Sequence, residues 1–88
     1  MILSWTEDAW EDYEYWQRTS KEKVKQICKL IKAIKRDPFK GIGKPEPLKH
    51  DLAGYWSRRI DQEHRLVYEI QDNAIIIVQC RYHYQAKV

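Results

Sequence analysis

The stretch Cys80-Arg81-Tyr82-His83-Tyr84 joins an imidazole that exchanges protons near neutral pH to two rings able to stack on a base. Arg81, just before them, has the planar fork that suits a phosphate. An apolar run precedes the stretch, so the fold has the means to fix it in place. A single tail histidine is more often plain polar surface. His83 therefore gains meaning only if the chain also supplies a base, a charge stabiliser and an attraction for anions.

Glu46 offers the base. Pro45 and Pro47 fix the backbone on both sides of it. Lys44 and Lys49 are close in sequence, and positive charge favours the ionised carboxylate. The competing reading is a surface Glu that neutralises local lysines. Arg65 offers the stabiliser. It falls inside a strand, on the non-core side, where it is either half of a salt bridge with Glu69 or Glu46, or a fork for phosphate. Lys49, Arg58, Arg59 and Arg81 are candidates to converge with it, against the plainer reading of a surface charge ladder.

Base, acid and cation are together the parts of metal-free RNA cleavage. Glu would take the ribose 2′-OH proton, and that oxygen would attack the adjacent phosphorus. Arg and Lys would stabilise the developing charge, and His would protonate the leaving 5′-oxygen. The products would be a 2′,3′-cyclic phosphate and a 5′-hydroxyl. No acidic cluster suggests a two-metal site. His50, His64 and His83 have no ligand spacing with either cysteine, so neither metal nor cofactor is expected. No phosphate loop, serine elbow or dinucleotide fingerprint is present.

These residues need elements to position them. Residues 2–5 read as a short strand. Thr6 then offers an N-cap, and Glu7 and Asp8 suit the start of a helix. Ala9, Trp10, Tyr13 and Trp16 recur at helical spacing to about residue 18. Ser20 caps a second helix whose apolar stripe is Val24, Ile27, Cys28, Ile31 and Ile34. Lys25, Lys29, Lys32 and Arg36 lie opposite, and Asp37-Pro38 ends the helix. Residues 38–53 form a loop with all three prolines, too long to be a mere connector. Strands follow at 54–61, 64–70 and 74–82.

With Gln71-Asp72-Asn73 as a three-residue turn, Leu66, Tyr68 and Ile70 share the core face with Ala74, Ile76 and Val78. Arg65 and Val67 then share the other face with Ile77, Gln79, Arg81 and His83. Arg59 joins that face only if the turn around Gln62-Glu63 has an odd number of residues. The order β-α-α-β-β-β predicts an α+β domain, with two helices on one face of an antiparallel sheet.

Size and composition agree with such a domain. Eighty-eight residues make one domain. A chain this short buries only about 60–65% of its unfolded surface, so a partner or a dimer would help it. Four Trp and six Tyr against one Phe favour rings with one end packed and the other at solvent, base or partner. The net charge is +3, yet residues 1–15 hold five carboxylates and no Lys or Arg. The remainder is strongly basic, as expected of a polyanion binder, although solvated helix faces look similar. Cys28 and Cys80 read as buried thiols. No signal peptide or membrane span is visible, so a cytoplasmic protein with no membrane partner is expected.

At these residues the chain resembles the YoeB toxins of bacterial toxin–antitoxin systems, within the RelE-like superfamily. The matching stretches are Lys44-Pro45-Glu46-Pro47-Leu48-Lys49, Tyr55-Trp56-Ser57-Arg58-Arg59-Ile60, Glu63-His64-Arg65-Leu66-Val67-Tyr68 and Cys80-Arg81-Tyr82-His83-Tyr84. Trp10-Glu11-Asp12-Tyr13 and Pro38-Phe39 also fit. The resemblance covers residues 1–84 and implies a ribosome-dependent mRNA interferase that cuts the message in the ribosomal A site. It implies a YefM-like antitoxin that wraps the toxin and contacts operator DNA for the complex, and it implies a homodimer. By position, Glu46 matches the general base, His83 the general acid and Arg65 the transition-state stabiliser. Tyr84 matches the aromatic beside the acid, and Lys49 and Arg59 the supporting cations. Gln85-Ala86-Lys87-Val88 extends past the usual family end and displaces any terminal carboxylate from the His-Tyr pair. Two other readings remain at this point: a non-catalytic RNA-binding module, and a gyrase-poisoning toxin of the ParE type on the same fold.

Overall fold

The computed structural model describes residues 1–83; Tyr84 and the extension 85–88 lie outside the described residues. The elements are β1 (Ile2–Trp5), α1 (Glu7–Thr19), α2 (Lys21–Arg36), β2 (Glu46–Pro47), β3 (Trp56–Arg59), β4 (Arg65–Gln71) and β5 (Ala74–Gln79). A 3-10 turn occupies His50–Leu52.

The helices start and stop where their capping residues say. Thr6 Oγ1 accepts from the Ala9 amide, and Glu7 and Asp8 occupy the positive first turn. Ser20 serves twice: its own amide donates to Trp16 O to close α1, and its hydroxyl accepts from the Lys23 amide to open α2. The apolar stripe of α2 sits slightly around the helix from the expected one. Ile27, Leu30 and Ile34 are fully buried, while Cys28 is only half-buried, with its Sγ 3.6 Å from the Tyr13 hydroxyl. Trp10 is exposed on α1 and packs edge-on against Trp5 at the surface.

The two helices cover one face of a five-stranded sheet of order β1-β5-β4-β3-β2. The sheet is mixed rather than wholly antiparallel, because β1 runs parallel to β5. No short turn ties β1 to a neighbour, so nothing local in the sequence sets its direction. The core between the layers holds Trp16, Ile27, Leu30, Ile34, Leu66, Tyr68, Ile75, Ile77 and Cys80.

The β4–β5 hairpin overturns one expectation. Gln71 pairs with Ala74, so the turn holds two residues, Asp72 and Asn73, with Asp72 at φ 51°. One residue fewer in the turn exchanges the faces of the strand that follows. Ile75 and Ile77, opposite Ile70 and Tyr68, are therefore the fully buried pair, and Ile76 turns away from the helices. A bulge then intervenes: Tyr68 pairs with Ile77, but Val67 pairs with Gln79, leaving Val78 as the extra residue. Beyond it the faces exchange again. Gln79 returns to the face of Val67 and Arg65, and Cys80 enters the core.

Helix α1 grips that point. The Cys80 amide donates to Asp12 Oδ2 at 3.0 Å, its carbonyl accepts from Trp16 Nε1 at 2.8 Å, and its Sγ lies 3.6 Å from Ala9 O. The strand ends at Gln79, three residues earlier than the apolar run suggested. Tyr82 has φ 65°, which no strand can contain.

The long loop is built on a buried cation. Arg58 is fully buried, and its guanidinium donates to the Tyr68 hydroxyl and to the carbonyls of Ile42, Asp37 and Lys40 at 2.7–3.1 Å. The Tyr68 hydroxyl in turn donates to Pro38 O at 2.6 Å. Together they pin residues 37–42 against the sheet. At Gly43, φ 84°, a Cβ would stand 2.7 Å from a Leu30 methyl and 3.0 Å from Arg58 Cβ, so the loop passes here only as glycine.

Candidate active site

The face of the sheet away from the helices carries the candidate residues, and strand register sets their order. Glu46 pairs with Ser57, Ser57 with Val67, and Val67 with Gln79. These four positions form one row across β2, β3, β4 and β5. Arg59 and Arg65, two residues along β3 and β4, pair with each other in the neighbouring row. The β3–β4 connection has five residues, the odd number that Arg59 required. Arg58, one residue before, lies on the opposite face and is no part of this group.

Glu46 is held by more than its prolines. Its two-residue strand hydrogen-bonds to β3, and Leu48 N donates to Tyr55 O just beyond. Glu46 also lines a depression of about 360 Å³ with Lys49, His50 and Leu52. Lys44 is exposed in left-handed backbone, φ 51°.

Arg65 is buried, and its Nη1 donates to the carbonyls of Asp61, Gln62 and His64 at 2.9–3.2 Å. Those bonds tie it to the loop between β3 and β4. The loop has its own brace. Asp61 Oδ1 accepts from the amides of Glu63 and His64, and Asp61 Oδ2 meets Lys23 Nζ of α2 at 2.8 Å. Burial alone would raise the Asp61 pKa, but the Lys23 ammonium and the two amides outweigh it and hold it at about 2.

The tail is tied down at several points. Gln79 Nε2 donates to the carbonyls of Arg81, Tyr82 and His83 at 2.8, 3.3 and 2.9 Å. The Arg65 amide donates to Tyr82 O at 2.9 Å, and the Tyr82 amide donates to His64 Nδ1 at 2.7 Å. His83 is exposed at the end of this tether. The Arg81 guanidinium lies 3.5 Å from the Tyr15 ring centroid and 4.5 Å from that of Tyr82. It is thus engaged in cation–π contact with α1.

Sequence reasoning missed His64, Gln79 and Tyr15, which hold the tail rather than face it. A polar side chain at the end of an apolar strand is the signal Gln79 offered. His64 and Tyr15 offered none.

Two helices over one face of a mixed five-stranded sheet is the architecture of the YoeB and RelE-like toxins. The family described as "YoeB-like toxin of bacterial type II toxin-antitoxin system" matches residues 5–84, and the chain belongs to it. Toxin YoeB of Escherichia coli K12 is 60% identical over 84 residues, which span 96% of this chain and all of that protein. The YoeB/ParE toxin from Agrobacterium tumefaciens superposes with a TM-score of 0.93 at 55% identity, covering 96% of this chain and 100% of that one. YoeB of Staphylococcus aureus, at 50% identity and a TM-score of 0.89, covers 96% and 98%; it is solved as a dimer and as a heterotetrameric YoeB-YefM toxin-antitoxin complex.

Proposed function

We propose that this toxin is a ribosome-dependent mRNA endoribonuclease that cuts the message in the A site. One observation carries the reading: strand register sets Glu46, Arg59 and Arg65 on one face, and the tail bearing His83 is bonded to Gln79 and Arg65 on that same face. Glu46 takes the proton of the ribose 2′-OH. The 2′-oxygen bonds to phosphorus as the P–O5′ bond breaks, and His83 gives the leaving 5′-oxygen its proton. Arg65, Arg59 and Lys49 meet the charge that develops on the phosphate oxygens. Lys44, Arg81 and Tyr84 contribute to holding RNA, and the products are a 2′,3′-cyclic phosphate and a 5′-hydroxyl. The reaction takes place in the cytoplasm.

The partners follow from the family. They are a YefM-like antitoxin, a second copy of this chain, the ribosome with its mRNA, and operator DNA reached through the antitoxin. The homologue from Staphylococcus aureus, solved as a dimer and with YefM, supports the first two.

Glu46→Ala and His83→Gln test the mechanism. Each is expected to remove toxicity, lowering cleavage by about 10²–10⁴-fold while the domain stays folded. Mapped RNA ends after induction should cluster within codons in the active protein. Folded variants that still arrest growth would sink the mechanism, and intact mRNA with damaged DNA would indicate gyrase poisoning instead.

A further inference from the structure

Tyr82 is the residue immediately before the proposed acid, and its backbone is left-handed, φ 65°. A bulky aromatic residue occupies that region only where its surroundings hold it there. Gln79 and the Arg65 amide hold the carbonyl oxygens of this stretch. Its amide hydrogen is held differently: the Tyr82 N–H points at His64 Nδ1, 2.7 Å away. We propose that His64 is a positioning residue, whose Nδ1 holds the Tyr82 amide and so fixes the backbone that carries His83. The inference rests on the nuclease reading for its effect on rate, but not for the bond itself.

The imidazole is suited to this task because it is itself immobilised. It is 9% exposed, and its ring meets Trp16 edge to face at 4.8 Å. Its amide is bound by Asp61 Oδ1 at 2.6 Å and its carbonyl by Arg65 Nη1 at 3.1 Å. With Nδ1 accepting, the neutral ring carries its proton on Nε2, which lies 3.4 Å from Glu63 Oε1. His64 therefore joins two parts of the site. Its backbone belongs to the loop that Arg65 closes, and its side chain reaches the tail of His83. A shift of the ring would release the Tyr82 amide and with it the backbone that carries His83.

His64→Phe keeps a ring against Trp16 without an acceptor. His64→Asn places an amide oxygen near the position of Nδ1. Hydrogen exchange of the Tyr82 amide reads the bond in the free protein. Single-turnover cleavage of mRNA on saturating ribosomes, with ribosome affinity measured separately, reads the rate. In His64→Phe, Tyr82 protection is expected to fall about five- to tenfold, the size of one lost hydrogen bond. Its cleavage rate should fall by about tenfold or more, at ribosome affinity within about twofold, because a misplaced catalytic group costs rate rather than binding. His64→Asn should recover most of both.

Unchanged Tyr82 protection in His64→Phe would overturn the proposal, as would equal rate losses in the two variants, the outcome of a ring that only packs. Should His64→Phe fail to fold, the 15N shifts of wild-type His64 decide: an unprotonated Nδ1 is expected, and a protonated one refutes it. If the wild-type protein cuts no RNA, the nuclease reading fails while the exchange and 15N measurements still judge the bond.

Discussion

Arg59 of β3 and Arg65 of β4 stand directly opposite one another across an antiparallel pair. Like charges in that relationship weaken a sheet by up to about 1 kcal/mol. The carbonyls bound to Arg65 Nη1 offset part of the repulsion, yet Arg59 remains exposed beside it. The fold thus gives up stability to concentrate positive charge where a phosphodiester is expected.

Arg59→Thr should therefore be as stable as the wild-type protein or more so, by about 0.5 kcal/mol, since threonine suits a strand and the repulsion is gone. Cleavage should fall, and the salt dependence of ribosome binding should flatten by about one unit of slope for a lost phosphate contact. Thermal unfolding and binding across a potassium chloride series measure both. A clear loss of stability would show that the pair is not repulsive.

Arg58 should behave in the opposite way. It lies on the opposite face of β3 from Arg59, and it satisfies three loop carbonyls and the Tyr68 hydroxyl from a fully buried position. Arg58→Met leaves those acceptors in the interior without a donor and should cost about 3 kcal/mol or more in urea unfolding. Arg58→Lys should rescue little, because one ammonium cannot span the fork of a guanidinium.

Asp61 sets an acid-side dependence of stability. Its pKa is about 2 in the folded protein against an ordinary 3.8. A group with a depressed folded pKa stabilises above the unfolded value and loses that contribution as pH falls through the folded one. Wild-type stability should therefore decline between about pH 4 and pH 2 by about 1 kcal/mol more than that of Asp61→Asn, once solvent screening of this partly exposed pair is counted. Urea titrations at several pH values compare the two. Parallel curves would mean that Lys23 and the amides contribute nothing through charge.

The cysteines should separate under a thiol reagent. Burial, with Asp12 nearby, pushes the Cys80 thiol well above its ordinary pKa, and its side chain is fully enclosed. Cys28 is only half-buried. Alkylation of the native protein near pH 8 should modify Cys28 and spare Cys80 until the chain unfolds. Mass spectrometry of the digested protein checks this, and early labelling of Cys80 would contradict the packing around it.

The helices were legible because their ends are marked: Thr6, Ser20 and Asp37-Pro38 act within a few residues of themselves. The sheet was less so. The hairpin turn is one residue shorter than Gln71-Asp72-Asn73 suggested, and that slip reversed the faces of Ile75 to Val78. The bulge at Val78 restored them for Gln79 alone, since Arg81 turns to Tyr15 of α1 instead of joining Arg65, and no residue type announces a bulge. Strand β2 was hidden because two residues beside prolines have no periodicity to read. Arg58 was decipherable in hindsight. Trp56, Arg58 and Ile60 share one parity, so a guanidinium had to follow two apolar side chains to the helix-facing side. At the site, the register that groups Glu46, Arg59 and Arg65 depends on pairing between distant segments, which is a property of the whole sheet.

Strand β5 is made late but placed inside, between β1 and β4. While a ribosome is still synthesising the chain, β1 and β4 are finished and face a gap that nothing else in the sequence fills. The unpaired backbone edges on both sides wait for six residues, 74–79, and the tail that carries His83 follows directly behind them. A nascent chain halted before that point has β2, β3 and β4, whose pairing groups Glu46, Arg59 and Arg65, but lacks the strand that joins them to β1. Closure of the sheet thus waits for residues 74–79, made after every other strand.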